Sequence, residues 1–135
     1  MDKNFKICVV GDLRVGKSCL VNRFFKKSFS HDYICTRGMV LSSKTVIISG
    51  VKTELNIWDV SGEELFQTNN SENYKNAVGV LLVYDITKLK SYENILKWYS
   101  DVSIQANPSA VFILVGNKRI EGCEASNSFH SSFIY

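Results

Sequence analysis

Apolar and polar positions along the chain form patterns that predict several strands. The apolar run from Phe5 to Val10 stops at a glycine and predicts a short buried strand. Leu55 and Ile57 alternate with polar neighbours, as expected for a strand with one buried face. Further strands are predicted over residues 40–49, 51–58, 78–84 and 111–115. The Ser49-Gly50 pair predicts a hairpin turn between the first two of these.

Helices are predicted between the strands, over residues 18–27 and 92–104. The second has apolar residues at i, i+3, i+4 and i+7, which predict one buried face: Ile95, Trp98, Tyr99 and Val102. Alternating strands and helices indicate an α/β fold with an open, mostly parallel sheet and helices on both faces. Ligands of such sheets bind beyond the carboxyl ends of the strands.

Composition narrows the class of protein. The 135 residues suit one domain, with 45% hydrophobic and 21% charged residues. A net charge of +3 is too small to indicate a nucleic-acid surface. The four cysteines form no CxxC pair, which favours free thiols in a reducing cytoplasm. The N-terminus lacks the apolar stretch of a signal peptide, and the longest apolar run is too short to cross a bilayer.

The segment after the first predicted strand fits the pattern GxxxxGK[ST] and precedes a predicted helix. Its residues are Gly11, Asp12, Leu13, Arg14, Val15, Gly16, Lys17 and Ser18. Glycines in such a loop let successive backbone N–H groups point at phosphate oxygens, and the helix start adds its positive dipole end. Lys17 would reach the β- and γ-phosphates, and the Ser18 hydroxyl would hold Mg²⁺. An ATPase, a small-molecule kinase and a GTPase all remain open at this point.

Two later segments favour the GTPase. Residues 58–64, WDVSGEE, resemble the WDxxGxE switch segment of Ras-superfamily GTPases, and Gly116-Asn117-Lys118 resembles the start of their guanine-recognition motif NKxD. Together with GKSCL at 16–20, these motifs make residues 5–118 similar to a Rab-like small GTPase with a P-loop NTPase fold. The resemblance implies GTP or GDP as ligand, with Mg²⁺.

The resemblance also implies roles for individual residues. Mg²⁺ would be held by Ser18, Thr36 and Asp59. The nucleotide-binding set would be the loop 11–18 with Cys19, Phe29, Asp59, Gly62, Asn117 and Lys118. Phe29 would pack on the guanine, and the Gly62 N–H would sense the γ-phosphate. The catalytic set would be Lys17, Thr36, Gly62 and Glu63.

Several positions depart from the family pattern. Ile120 replaces the aspartate of NKxD, whose carboxylate accepts two hydrogen bonds from guanine; Glu121 lies one residue too late. Glu63 occupies the position of the water-orienting glutamine, and an ionised carboxylate only accepts hydrogen bonds. Leu13 and Arg14 fill positions that are often small. We therefore expect weak guanine selectivity and slow intrinsic hydrolysis.

The C-terminal residues lack the pattern of the family's last strand and last helix. Residues 1–119 are predicted to form an incomplete GTPase domain, followed by a divergent polar tail at 120–135. Cys123 is not in a prenylation position. The chain is thus expected to be truncated relative to the family, cytoplasmic, and peripheral to endomembranes through partners.

The sequence favours a GTP/GDP switch in vesicle traffic or signalling. Its expected partners are effectors, exchange factors and GTPase-activating proteins, bound through residues 30–42 and 60–75, with no nucleic acid and no membrane anchor of its own. A pseudo-GTPase binding module is the second interpretation, supported by Ile120 and Glu63. A non-functional truncated product is the third, and a P-loop ATPase or kinase is the fourth.

Overall fold

The structure is a computed structural model that describes residues 2–26, 39–60, 62 and 74–118. Strands and helices follow one another in the predicted order. The strands are β1 (Lys3–Val10), β2 (Met39–Ile48), β3 (Val51–Val60), β4 (Gly79–Asp85) and β5 (Val111–Asn117). The helices are α1 (Lys17–Lys26), α2 (Leu89–Glu93) and α3 (Ile95–Ser103).

The five strands form one sheet in the order β2-β3-β1-β4-β5. β2 runs antiparallel to β3, and the other neighbouring pairs are parallel. The predicted α/β class with a mostly parallel sheet is therefore confirmed. Because β1, β3, β4 and β5 point the same way, the segments that follow them meet at one edge of the sheet.

The predicted hairpin joins β2 to β3 through Ser49 and Gly50, which have φ values of 50° and 77°. Positive φ at both central residues is the geometry of a two-residue turn that matches the twist of the flanking strands. The pairing continues from Ile48↔Val51 to Met39↔Val60 without interruption. The hairpin thus places the start of β2 beside the end of β3, which the parallel pairing with β1 brings to the same edge as the segment after β1.

Apolar side chains pack on both faces of the sheet, because successive residues of a strand point to opposite sides. On one face, Cys8 and Val10 of β1 pack in a cluster with Trp98 of α3. On the other face, Val9 packs in a cluster with Val21 of α1. Both faces of the central strand are therefore buried, and the predicted helical layers are present on each side.

The predicted helix over residues 92–104 needs correction. It begins earlier, at Leu89, and is divided at Asn94, whose backbone N–H is shared between the carbonyl oxygens of Lys90 and Tyr92. Residues 89–93 show no apolar period, so the pattern could not reveal them. Tyr99 is 45% exposed rather than buried, and its ring meets Phe112 edge-on with centroids 4.8 Å apart.

The two cysteines in the described residues are free thiols, as predicted. Cys8 is fully buried in β1, whereas Cys19 in α1 is half-buried. Burial raises the pKa of the Cys8 thiol to about 11, against a smaller lowering effect of Lys6. Cys8 therefore stays protonated and acts as a small apolar core residue.

Candidate functional site

The loop from Gly11 to Ser18 joins β1 to α1 at the carboxyl edge of the sheet. Gly11 has φ 149°, and a Cβ at this residue would lie 2.1 Å from the Val83 carbonyl oxygen. Gly16 has φ 98°, and its Cβ would lie 2.2 Å from the side-chain nitrogen of Asn117. Both motif glycines are thus required by close contacts, as well as by backbone conformation.

Lys17 is buried beneath the loop, with 6% of its surface exposed. Its Nζ donates hydrogen bonds to the carbonyl oxygens of Gly11 at 2.8 Å and Asp12 at 2.6 Å. These bonds close the loop over the start of α1. A buried ammonium needs such partners, and its position within the loop suits an approaching phosphate group.

Ser18 and Asp59 meet although 41 residues separate them. Ser18 is the second residue of α1, and Asp59 lies near the end of β3, where only 4% of it is exposed. The Ser18 hydroxyl donates a hydrogen bond to Asp59 Oδ2. A hydroxyl and a carboxylate beside a phosphate-binding loop are the hard oxygen donors that Mg²⁺ takes together with nucleotide phosphates, so these two residues fit that ion.

Asn117 and Lys118 come from the end of β5 and brace the same loop. The Asn117 side-chain N–H donates to the Val15 carbonyl at 2.8 Å, and Lys118 Nζ donates to the Arg14 carbonyl. The predicted base-binding residues therefore lie against the phosphate loop. The sequence assigned them to the nucleotide, and their direct bonds to the loop were not predicted.

Asp85 at the end of β4 lies beside these residues, and the sequence motifs did not single it out. Its carboxylate lies 3.2 Å from Lys118 Nζ and accepts bonds from the Thr87 N–H and hydroxyl at 2.9 and 2.6 Å. Burial alone would raise the pKa of Asp85, but the bonds from Thr87 and the Lys118 ammonium outweigh it and lower that pKa. Ionised Asp85 thus fixes Lys118 beside the loop.

The position of Asp85 in the sequence could have indicated its role. An acidic residue at the carboxyl end of a parallel strand lies at the edge of the sheet where ligands bind. Asp85 is directly paired with Asn117 in the β4–β5 register. Asp12 likewise has partners that the sequence did not reveal. Its two carboxylate oxygens accept hydrogen bonds from Trp98 and Asn94 of the α3 region.

Gly62 lies directly against the loop. A Cβ on Gly62 would come within 2.1 Å of the Leu13 backbone nitrogen, so only glycine fits there. Leu13 itself is 38% exposed. Arg14 has φ 66°, a left-handed conformation that is costly for a residue with a Cβ. Gly62 therefore lies against the backbone of Asp12 and Leu13.

The structure brings together most of the predicted site residues that it describes. Cys19 follows Ser18 in α1 and is half-buried. The predictions for Phe29, Thr36 and Glu63 lie outside the described residues, as do those for Ile120, Glu121 and Cys123. In the described ranges, no group of three or more His, Cys, Asp or Glu side chains could form a metal site. No helix among them is long and apolar enough to span a membrane.

Comparisons with known proteins agree with this geometry. The Ras family model matches residues 6–122. The chain is 43% identical over 117 residues to the Ras-related protein SEC4 of Saccharomyces cerevisiae, covering 87% of this chain and 54% of the relative. The corresponding values for Ras-related protein Rab-13 of Canis lupus familiaris are 42% identity over 117 residues, with 87% and 58% covered.

The GTP-binding protein ypt2 of Schizosaccharomyces pombe is 38% identical over 132 residues, covering 98% of this chain and 64% of the relative. The chain therefore spans between about half and two thirds of the length of these curated relatives. The family model covers most of the chain, and the relatives are of the Rab, Sec4 and Ypt type. The resemblance drawn from the motifs is thus confirmed, and the chain belongs to the Ras family as a Rab-like member.

Proposed function

We propose that this chain binds a guanine nucleotide with Mg²⁺ and acts as a GTP/GDP switch. The observation that carries the proposal is the assembled phosphate loop, in which Lys17 lies buried beneath two loop carbonyls and Ser18 contacts Asp59. Such a loop offers backbone N–H groups, a lysine and oxygen donors before any ligand arrives. The relative named ypt2 is described as GTP-binding, which supports the choice of nucleotide.

In this proposal, Lys17 binds the β- and γ-phosphates, while Ser18, Asp59 and Thr36 hold Mg²⁺ with the phosphate oxygens. The ion would neutralise phosphate charge and polarise the phosphoryl group. Gly62 would detect the γ-phosphate through its N–H. Its contact with Leu13 supports this role, because a γ-phosphate placed at the loop would be next to Gly62.

Base binding is assigned to Asn117 and Lys118, with Phe29 packing on the guanine. Lys118 is supported by Asp85, which fixes its ammonium 3.2 Å away. Ile120 cannot accept the guanine hydrogen bonds that the family aspartate accepts, so we expect reduced discrimination against adenine nucleotides. Glu63 would also place negative charge near the γ-phosphate, and we expect slow intrinsic hydrolysis.

The proposed domain comprises residues 1–119, followed by the tail at 120–135, and the family match over residues 6–122 includes nearly all of the proposed domain. Effectors, exchange factors and GTPase-activating proteins are proposed to bind through residues 30–42 and 60–75. The first segment leads into β2 and the second follows β3. A γ-phosphate that fixed the position of these two segments would therefore change the protein surface next to the hairpin. Association with endomembranes would follow from such partners.

The decisive experiment identifies the nucleotide that the purified protein retains. We expect GDP or GTP after acid extraction and chromatography, and faster nucleotide release when EDTA removes Mg²⁺. Lys17→Ala should weaken retention at least 100-fold, whereas Lys97→Ala on the exposed side of α3 is the matched control. Equal retention by Lys17→Ala and Lys97→Ala would show that the loop is not the phosphate site.

Hydrolysis is tested separately by γ-phosphate release from bound GTP. Glu63→Gln should increase the rate, because glutamine can both donate to and accept from the attacking water. A slower Glu63→Gln variant would contradict the role proposed for Glu63.

A pseudo-GTPase is the second candidate, and the specific observation in its favour is Ile120 in place of the base-binding aspartate. It predicts a folded protein that binds partners through the same surface without turnover. A protein that purifies folded and free of nucleotide would support this candidate. Bound ATP would instead show that the base assignment is wrong.

A further inference from the structure

Asp12 is the one acidic residue in the loop that is proposed to surround a polyphosphate. Its side chain is turned toward the α3 region. Asp12 Oδ1 accepts a hydrogen bond of 2.9 Å from Trp98 Nε1, and Oδ2 accepts one of 2.6 Å from Asn94 Nδ2. Each carboxylate oxygen thus has its own donor, and both donors are uncharged.

The two donors form a rigid pair. Trp98 is fully buried and Asn94 is 8% exposed. They are four residues apart on one helical face, and the backbone N–H of Trp98 donates to the backbone carbonyl of Asn94 at 3.1 Å. A buried indole N–H needs an acceptor, so the position of Asp12 is tied to the core beneath α3.

The backbone of Asp12 is held from the opposite side. Its carbonyl oxygen accepts the 2.6 Å bond from Lys17 Nζ. The preceding residue, Gly11, lies against the Val83 carbonyl of β4. Asp12 therefore connects two parts of the protein. Its backbone carbonyl binds the buried Lys17, and its carboxylate binds the α3 region.

We propose that Asp12 is a positioning residue through which Asn94 and Trp98 set the first turn of the phosphate loop. The inference rests on the proposed nucleotide binding and adds a role for α3, which contributes no residue to the predicted site. Holding the carboxylate on the helix side keeps its charge away from the phosphates. The loop amides are then pre-organised for the ligand, which lowers the cost of binding.

The test exchanges donor and acceptor between Asp12 and Asn94. Asn94→Asp places two carboxylates within hydrogen-bonding distance, and we expect it to release GDP about tenfold faster than the wild type. The double variant Asp12→Asn/Asn94→Asp restores an N–H···O bond with the roles reversed, and should return the rate to within about threefold.

Asn107→Asp is the matched control, because Asn107 is exposed and its side-chain oxygen, which accepts from the Ser109 N–H, survives the change. Trp98→Phe keeps an aromatic ring in the core but removes the indole donor, and should speed release about threefold. If Asn94→Asp does not fold, Asn94→Ala removes the side-chain donor without adding charge and should also speed release about threefold. Thermal unfolding of each variant separates a change in release from a loss of fold.

Two results would overturn the inference. One is that folded Asn94→Asp, or Asn94→Ala if Asn94→Asp does not fold, releases GDP at the same rate as Asn107→Asp. The other is a double variant that releases GDP as fast as Asn94→Asp. A wild type that retains no nucleotide defeats the proposed function, and this inference with it. A wild type that retains GDP while the variants behave like the control defeats only the role of Asp12.

Discussion

The side-chain amide of Asn117 donates a hydrogen bond of 2.8 Å to the carbonyl of Val15, 102 residues earlier in the chain. A Cβ added to Gly16 would lie only 2.2 Å from this same amide nitrogen. Asn117 thus fills the space that the glycine leaves open. A residue assigned to base recognition also supports the loop assigned to phosphate binding.

Asn117→Ala should destabilise the protein and speed nucleotide release. It removes a partly buried hydrogen bond, which is worth about 1 kcal/mol, and leaves the Val15 carbonyl without that donor. Urea unfolding measures the stability, and displacement of a fluorescent nucleotide measures release. Asn22→Ala, at an exposed position of α1, is the control and should change neither quantity appreciably. Equal behaviour of the two variants would show that the bond contributes nothing.

Gly11→Ala should be among the most damaging single substitutions in the loop. The added Cβ would lie 2.1 Å from the Val83 backbone oxygen, which cannot move without shifting β4. We expect a loss of ~3 kcal/mol in the free energy of unfolding, together with loss of nucleotide retention.

Gly50→Ala provides the comparison for Gly11→Ala. Gly50 also has positive φ, at 77°, but a Cβ there would meet no atom within 4 Å. It should cost only the backbone strain, ~1 kcal/mol, and leave retention unchanged. A Gly11→Ala variant as stable as Gly50→Ala would contradict the steric argument.

Arg14→Gly should stabilise the protein. Arg14 adopts φ 66°, where a side chain costs about 1–2 kcal/mol and glycine is nearly free of strain. Glycine also loses more backbone entropy on folding, so the expected net gain is about 0.5–1 kcal/mol. Arg23→Gly in helix α1 removes the same charge but should destabilise by ~1 kcal/mol. Denaturant unfolding of both variants should therefore give opposite signs, and a common sign would refute the strain at Arg14.

Asp85 should make stability depend on pH in the acid range. Its pKa is lower in the folded protein than the ordinary value of 3.8, so its stabilising effect is fully present above that value. The effect is lost as the pH falls from there through the folded-state pKa. Asp85→Asn should flatten the fall in unfolding free energy between about pH 5 and the acid limit.

The measurement for Asp85 is urea unfolding at a series of pH values from 6 downward. Asp2→Asn removes one negative charge at an exposed position and serves as the control. If the wild type and Asp85→Asn lose stability in parallel, the contacts with Thr87 and Lys118 do not stabilise the ionised carboxylate.

Local patterns were enough to predict much of this fold. The apolar run before Gly11 correctly predicted β1, and Ser49-Gly50 correctly predicted the hairpin turn. Both patterns lie within a few adjacent residues, so they can be recognised without knowing the rest of the fold. The loop motif likewise predicted a helix directly after the loop, and α1 begins at Lys17. The buried face of the second predicted helix was correct for Trp98 and wrong for Tyr99, since periodicity does not reveal where a neighbouring layer ends.

Side-chain pairings between distant segments could not be predicted. Asp12 meets Asn94 across 82 residues, and Lys118 meets the Arg14 carbonyl across 104. Such pairs depend on the order of strands in the sheet, which the sequence does not state directly. Asp85 was overlooked for the same reason, because its partner Lys118 directly follows the neighbouring strand β5.

The bond between Asn117 and Val15 has a consequence for biosynthesis. Val15 of the loop is synthesised 102 residues before Asn117, which donates the hydrogen bond to it. At about 5–20 residues per second, translation separates them by roughly 5 to 20 seconds. During that interval β5 is missing from the sheet and the loop has no support from that side. If the loop binds nucleotide as proposed, nascent chains should therefore bind it firmly only after β5 has been synthesised.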